Sequence, residues 1–415
     1  MTAAAGRLAY NASTRLSLCI GKTLPPRLPR TVVILGLVSF FNDFASDIVI
    51  PLIPILLVTV LASGPVALGL IEGVADALAS FLKLWSGRHS DRLSGKRKGL
   101  TLFGYILSNG ARPLLGLAGS WPLVLILRSL DRVGKGLRSA PRDALVVDVT
   151  PPSMLGYAFG FHRALDNGGA VMGSLAAAAA LAYSTLTLPQ VILLSAIPGF
   201  IAVLFLLAGV REKPAPKVQP VELAPLSWRS LSLPMRRYLM VLGLFTFARI
   251  SETFILLLGF QLHISVVELL LLWAALNFAK AATSAWGGRL ADILGRGGLM
   301  WISWTAFALS FLLLGKVSGS AGLWGVAIFY GLFTGLSEGA ERALIGDFSS
   351  PRERGTAFGW YHLIIGLTAI PAGLVFGVLW QYQSAPLAYF FASAVAASSA
   401  LLLRGWVRIP FMNRV

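Results

Sequence analysis

Long apolar stretches alternate with short polar segments along the whole chain. Reading between the polar breaks gives twelve stretches with about the 20 mostly apolar residues that an α-helix needs to cross a bilayer. They lie at 31–61, 67–87, 99–117, 121–147, 153–183, 188–209, 237–258, 263–287, 299–315, 322–346, 356–380 and 386–405. The stretches are too long, and alternate too little, for barrel strands. The pattern therefore predicts an all-α integral membrane protein with twelve transmembrane helices.

Composition supports this prediction and excludes other classes. Of the 415 residues, 56% are hydrophobic and 13% are charged, against roughly 45–50% and about 25% in soluble domains. These values exclude a disordered chain, a nucleic-acid-binding domain and an ordinary soluble enzyme. Cys19 is the single cysteine, so an intrachain disulfide is impossible. No residue pattern predicts a metal site or a bound cofactor.

The distribution of basic residues predicts the orientation. The net charge is +17, yet the loops on one side of the spans carry Lys316 as their single Lys or Arg, against 23 on the other side. Since basic residues accumulate in the cytoplasm, both termini are expected there, in a bacterial-type inner membrane. The basic excess thus indicates topology rather than nucleic acid. Residues 1–30 are interpreted as a cytoplasmic tail, with an organelle transit peptide as the alternative.

A linker at 210–236, rich in proline and charge, divides the spans into six plus six. The expected bundles are 31–209 and 237–405, followed by a tail at 406–415. Segment 144–160 aligns without gaps on 343–359, and eight positions are identical. They are Ala144/Ala343, Leu145/Leu344, Asp148/Asp347, Pro152/Pro351, Gly156/Gly355, Ala158/Ala357, Phe159/Phe358 and Gly160/Gly359. Parallel six-helix repeats place a site between the halves, near the bilayer midplane.

Four segments resemble motifs of the major facilitator superfamily. The loop after span two, Gly87-Arg-His-Ser-Asp91-Arg92-Leu-Ser-Gly95-Lys96-Arg97, is similar to the family's G-x-x-x-D-R-x-G-R-R/K, with Ser94 inserted. Its copy after span eight runs from Gly288 through Asp292 to Arg296. Segment 128–136 of span four is similar to the family's R-x-x-D/Q-G region, with Arg132 where glycine is usual, and 351–355 resembles P-x-x-x-R-G. The resemblance implies two pseudo-twofold-related six-helix bundles, a monomer, and secondary transport by alternating access.

The resemblance also implies that these loops act as gates at the cytoplasmic face. Glycine lets helices approach closely, and an aspartate can accept N–H groups at the start of a neighbouring helix. The alternative is that the basic residues only set topology and that the other charges neutralise the surface. The gating candidates are Gly87, Asp91, Arg92, Gly288, Asp292, Arg296, Arg142, Asp148, Asp347 and Arg354.

Charges inside the spans indicate a cavity. A charge near the bilayer centre costs ~2.5–3.5 kcal/mol on insertion scales, so such residues usually face a cavity and have a role. Burial favours a neutral carboxyl and a neighbouring cation favours the ionised form, a combination that suits proton coupling. The alternative is a fixed ion pair between helices, such as Asp131 with Arg128 or Lys135. The proton-coupling candidates are Asp43, Asp47, Asp76, Asp166 and Glu252, with Arg132 as a relay partner.

Span four carries more bases than acids, which suggests an anionic substrate because arginine can hold carboxylate or phosphate with two hydrogen bonds. The alternative is an apolar or cationic drug that binds carboxylates and aromatic rings. The substrate-binding candidates are Arg128, Lys135, Arg138, His162, Arg163, Arg249, Phe40 and Trp360.

Span five bears on the direction of transport. Exporters of the resembling family often carry G-x-x-x-G-P, and this chain has Gly169, Gly173 and Ser174 at those positions. The sequence therefore favours proton-coupled efflux of a small organic solute. The alternative is proton-linked uptake of an organic anion or a metal chelate. No H-E-x-x-H, G-x-S-x-G or phosphate-loop motif is present, so neither an enzyme nor an ATP-driven pump is predicted.

Overall fold

A computed structural model describes residues 28–92, 97–151, 154–210, 227–349 and 354–407. Over these ranges the chain forms twelve long helices, in the order of the predicted spans. They are α1 (Arg30–Thr59), α2 (Pro65–Arg92), α3 (Arg97–Leu114), α4 (Trp121–Val149), α5 (Leu155–Tyr183), α6 (Leu188–Gly209), α7 (Leu233–Gln261), α8 (Val266–Leu294), α9 (Arg296–Leu314), α10 (Ser320–Phe348), α11 (Arg354–Tyr382) and α12 (Ala385–Gly405). The predicted all-α, twelve-helix fold is confirmed.

Nine of these helices are long and apolar enough to cross a membrane by length and composition alone, within the described ranges. The other three are α3, α4 and α5. They hold half of the ionisable residues that the sequence places inside the bilayer, and these charges lower their apolar character. Pairing of those charges, rather than high hydropathy, must therefore stabilise these three helices in the membrane.

Three of the described helices are interrupted, α6 at Ser195 and α1 and α7 near their middles. In α1 a 3₁₀ turn, Ile50–Leu52, contains Pro51, which has no N–H to continue the α-helical ladder. In α7 the helix stops after Ala248 and resumes at Thr253, without any proline. Arg249 leaves helical geometry there, with φ −78° and ψ 76°. Discontinuous helices of this kind expose backbone groups and side chains to the centre of transporter folds.

The largest contacts between the two halves are made by two pairs of helices, and α1 also contacts α7 and α8. Helix α2 packs on α11, and α5 packs on α8. If α1–α6 is superposed on α7–α12, α2 corresponds to α8 and α5 to α11. Each interface is therefore the symmetry equivalent of the other. The pseudo-twofold 6+6 arrangement is confirmed.

Two ion pairs repeat this symmetry. Arg97 at the start of α3 pairs with Asp148 at the end of α4, and Arg296 at the start of α9 pairs with Asp347 at the end of α10. In both pairs the acid follows the arginine by 51 residues. Each pair therefore fastens the third helix of a bundle to the fourth.

A buried network of charges holds together the first four helices. Asp131 of α4 accepts a hydrogen bond from Arg112 Nε of α3 at 2.7 Å and another from Arg128 Nη1 at 3.1 Å. Arg128 also donates to both oxygens of Glu72 of α2, at 3.1 and 3.2 Å. Arg112 Nη1 donates to the Asn42 carbonyl of α1 at 3.0 Å. Two guanidinium groups thus balance two carboxylates, and all four side chains are almost fully buried.

Removing one partner of this network should strongly destabilise the protein. We expect Asp131→Asn to lower the free energy of unfolding by about 3–5 kcal/mol, because Arg112 would lose its carboxylate partner in the buried network while Arg128 keeps Glu72. Denaturant unfolding in detergent would measure the loss. The control is Asp143→Asn, which removes a half-exposed carboxylate on the same helix. Equal losses in the two variants would contradict this role of the network.

Candidate transport cavity and its gates

A large cavity lies between the two halves. Its volume is about 1540 Å³, and residues of α2, α4 and α5 line it on one side, with residues of α7, α8 and α11 on the other. The lining extends to Asp143 near the end of α4, Phe159 near the start of α5 and Phe358 near the start of α11. These helix ends lead to the loops predicted to be cytoplasmic. The cavity therefore opens toward the predicted cytoplasmic side.

On the opposite side the halves are in direct backbone contact. A Cβ atom added at Gly69 of α2 would overlap the Gly373 carbonyl of α11, and one at Gly373 would overlap the carbonyl of Gly69. One turn further out, the Val66 N–H donates to Gln381 Oε1 at 3.2 Å. A missing side chain at both glycines permits this approach. The contact, called the outer seal below, closes the cavity toward the predicted outside.

Two carboxylates of the first half also accept hydrogen bonds from described residues of the second half. Trp273 Nε1 of α8 donates to Asp47 Oδ1 of α1 at 2.8 Å, and Asn277 Nδ2 approaches the same oxygen at 3.4 Å. The Ser251 hydroxyl, in the break of α7, donates to Glu72 Oε2 at 3.4 Å. Both contacts place a carboxylate of the first half against a donor of the second half. Relative motion of the halves would change the surroundings of both acids.

The proton-coupling candidates occupy different environments. Asp43, Asp76 and Asp166 line the cavity, as does Arg132, whereas Asp47 and Glu252 do not. Asp76 is exposed and has neither an ion pair nor a hydrogen bond to any described residue.

The remaining three acids have partners. Asp43 accepts a hydrogen bond from Asn42 Nδ2 at 2.8 Å, and Asp166 Oδ2 lies 3.5 Å from His162 Nδ1. Glu252 pairs with Lys280. Asp43 and Asp76 therefore combine access to the cavity with the absence of an ion pair in the described parts of the chain.

Five of the substrate-binding candidates also line the cavity, namely Lys135, Arg138, His162, Arg163 and Arg249. The other three do not. Arg128 is buried in the network with Glu72 and Asp131. Phe40 packs against Phe41 and Phe44, and its backbone touches Gly169 of α5. Trp360 packs against Trp228.

Sequence reasoning did not identify two features of the cavity wall. Lys83 lines the cavity although it lies near the predicted cytoplasmic end of α2. Arg249 Nη1 donates to Glu341 Oε2 of α10 at 3.0 Å, and the Tyr361 hydroxyl of α11 donates to Glu341 Oε1 at 2.7 Å. Glu341 is buried and lies 92 residues from Arg249, so no local pattern could pair them.

The gating candidates lie at the ends of the helices that are predicted to be cytoplasmic, and the contacts they make with described residues lie within one half. The pairs of Asp148 and of Asp347 each join helices of the same bundle. Arg142 bonds to Asp143 and to the Ser39 hydroxyl of α1, and Gly87 faces Ala140 of α4. The side chains of Asp91, Arg92, Asp292 and Arg354, and the surroundings of Gly288, lie outside the part of the chain that the structure describes. The gating role of all these residues stays a prediction.

Comparison with known proteins identifies the family. The family model described as Major Facilitator Superfamily matches residues 35–259 and 250–413. The chain belongs to the major facilitator superfamily. An MFS-type transporter of Methanocaldococcus jannaschii is 31% identical over 91% of this chain and 94% of its own length. By family and fold, the protein is thus a multi-pass membrane transporter of small molecules and not an enzyme.

Solved structures of this superfamily share the fold but differ in solute. The human organic anion transporter MFSD10 matches with a TM-score of 0.67 and 17% identity, over 92% of this chain and 100% of that one. A D-xylose-proton symporter matches with a TM-score of 0.71 and 16% identity, over 92% and 98%. Identities this low show the fold alone. The solute must be argued from the cavity.

Enlarging a glycine of the outer seal should open the outer side. We expect Gly69→Val and Gly373→Val each to shift the population toward an outward-open state, because the new side chain meets backbone that cannot move aside. A cysteine at Ala281 in the cavity, with Cys19 replaced by serine, should then react at least fivefold faster with an impermeant thiol reagent added from outside.

The matched control is Gly110→Val on α3, where an added Cβ has no heavy atom within 4 Å. That change should leave the labelling rate unaltered. Unchanged labelling in both seal variants would contradict the assignment of the seal.

Proposed function

We propose that this protein is a proton-coupled secondary transporter that moves a small organic anion across a bacterial-type inner membrane by alternating access. It acts as a monomer with both termini in the cytoplasm. We assign the structure, in which the outer seal is closed, to an inward-facing state. The observation that carries the proposal is the surplus of cations in the cavity wall. Seven Lys or Arg residues line it, against five Asp or Glu residues.

Ion pairs inside the protein leave this surplus unchanged. Glu72 is bound by Arg128 and Arg249 by Glu341, two partners that do not line the cavity, and Asp143 is bound by Arg142 within the lining. The ammonium group of Lys135 has no ion pair or hydrogen bond with a described residue. An anion entering the cavity would therefore find unneutralised positive charge, and charge-assisted hydrogen bonds to Lys or Arg would hold it.

The same electrostatics support coupling to protons. A proton on Asp43 or Asp76 removes a negative charge from the cavity and so strengthens anion binding. By linkage, a bound anion strengthens proton binding by the same factor. Anion and proton thus favour each other's binding, which is the thermodynamic condition for symport. With an inward proton gradient, symport drives uptake.

Uptake is therefore the direction that we propose, with efflux as the alternative. The glycine spacing of α5, which favours efflux in the sequence, has a packing role in the structure. Added Cβ atoms at Gly169 and Gly173 would overlap the carbonyls of Phe40 and Phe44 of α1. This contact fixes α5 tightly against α1 within one half and has no bearing on direction. The surplus of Lys and Arg in the cavity wall bears directly on the charge of the solute. We therefore give it more weight than the glycine spacing of α5.

Neutralising the proton-coupling acids should reduce accumulation driven by the proton gradient without abolishing anion binding. In proteoliposomes we expect Asp43→Asn or Asp76→Asn to reduce anion accumulation driven by an imposed pH gradient at least tenfold. Exchange of internal for external anion should continue, since it requires no net proton movement. The control is Glu268→Gln, at the start of α8 and outside the cavity lining. Gradient-driven accumulation that is intact in both aspartate variants would contradict the coupling.

Removing the cations should weaken anion binding. We expect Arg132→Ala combined with Lys135→Ala to raise the KM for the anion by 10-fold or more, since each charge-assisted hydrogen bond contributes about 1.5–3 kcal/mol. Initial rates of uptake across a panel of organic anions would measure this. Lys316→Ala, in the predicted outer loop, is the matched control. An unchanged KM in the double variant would overturn the anion site.

A further inference from the structure

The walls of the cavity differ in chemistry between the two halves, and from this difference we infer that the substrate is an amphipathic organic anion. Its anionic group would face α2 and α4, and a hydrophobic body would face α8 and α11. The inference rests on the proposed function, because it assumes that the cavity is the transport site. It goes further by specifying the part of the substrate that is not charged.

The polar wall comes from the first half. Lys83 of α2 and Arg132 and Lys135 of α4 line it together. Arg132 lies 3.9 Å from Glu72, at the limit of an ion pair, and its Nε is buried without a hydrogen-bond partner in the described structure. A buried N–H of a charged group without a partner is costly, and an anionic oxygen in the cavity would satisfy it.

The apolar wall comes from the second half. Among the described residues that α7, α8 and α11 contribute to the lining, Arg249 is the one Lys or Arg, and Glu341 neutralises it. No described Asp or Glu of these helices lines the cavity. The apolar members of this wall include Phe254, Phe278, Ala281, Ala282, Phe358 and Ile365.

Phe278 contributes a large part of this apolar surface. The residue is 64% exposed and lines the cavity. Met172 of α5, at 48%, lines the same cavity. An exposed apolar ring in a wet cavity gains free energy when a hydrophobic group covers it, in proportion to the area removed from water. A small, fully polar anion would leave that surface wet.

The size of the cavity agrees with such a substrate. Pockets for drug-sized ligands measure about 300–1,000 Å³, and this cavity measures about 1540 Å³. It can therefore hold a charged group against Lys135 and an extended hydrophobic body against Phe278 at the same time. Contact with both walls would also make binding sensitive to their relative position, which alternating access changes.

A series of linear alkanesulfonates from ethanesulfonate to octanesulfonate tests the inference, because these probes stay ionised and vary only in apolar length. Binding to the purified full-length protein in nanodiscs would be measured by tryptophan fluorescence, below micelle-forming concentrations. We expect the Kd to fall about threefold to fourfold for each added methylene, until the apolar wall is covered. Octyltrimethylammonium and octyl glucoside, which have apolar chains but no anionic group, should bind at least tenfold more weakly than octanesulfonate.

Two variants test the contributions of the apolar wall and the polar wall to binding separately. Phe278→Ala should flatten the dependence on chain length and leave the Kd of ethanesulfonate unchanged. Lys135→Ala should weaken every sulfonate by a similar factor and leave the dependence on length intact. The matched control is Phe200→Ala on α6, whose ring is also 64% exposed but lies outside the cavity lining. Because both phenylalanines are largely exposed, neither change should prevent folding, and thermal unfolding would verify this.

The outcomes distinguish this inference from the function it rests on. Equal Kd values for short and long sulfonates, or a dependence of Kd on chain length that persists in Phe278→Ala, would contradict an amphipathic substrate. Neither result would contradict the proposed transport of an anion. Binding of the cationic or neutral chain with no sulfonate binding would overturn both.

Discussion

An ionised side chain within a membrane-spanning segment must either be paired or face water, and the rest of this structure depends on that constraint. The first half satisfies it in both ways. Arg112, Arg128, Asp131 and Glu72 neutralise each other in a buried network that joins α1 to α4. Lys135 and other charges of the same helices line the cavity instead. Arg128 and Asp131 of the network and Arg132 and Lys135 of the charged wall follow one another along α4 at steps of three and four residues, so the network fixes the helix that carries this wall.

The two halves share one arrangement of helices but contribute chemically different side chains to the cavity. Their repeat is preserved where rigidity is required, in the ion pairs of Asp148 and Asp347 at equivalent helix ends. It is lost in the cavity, where the second half contributes mainly apolar and aromatic side chains. Such a division suits a transporter, because one rigid bundle can hold the charges of substrate and proton while the other supplies apolar surface and closes over them. The glycine contact between Gly69 and Gly373 lets the bundles meet without intervening side chains.

The sequence predicted the features that depend on local pattern. Hydropathy identified the twelve helices, and the gapless alignment of 144–160 on 343–359 matched Asp148 with Asp347, which the structure places in equivalent ion pairs. Partners far apart in the chain could not be read in this way, such as Arg112 with Asp131 or Arg249 with Glu341. The break in α7 has no proline to mark it. Phe40 and Trp360 were candidates because of their residue type, yet aromatic rings fill packing contacts as readily as cavities, and these two pack against neighbouring rings.

Distances between spin labels in nanodiscs test the central claim, that two rigid halves rock about a charged cavity. With Cys19 replaced by serine, one pair of labels at Trp85 and Trp286 reports on the predicted cytoplasmic side, and another at Tyr183 and Tyr382 reports on the outer side. All four side chains are largely exposed. Between neutral and acidic pH, the account predicts that one distance shortens as the other lengthens. Two distances that never change, or that lengthen together, would contradict it.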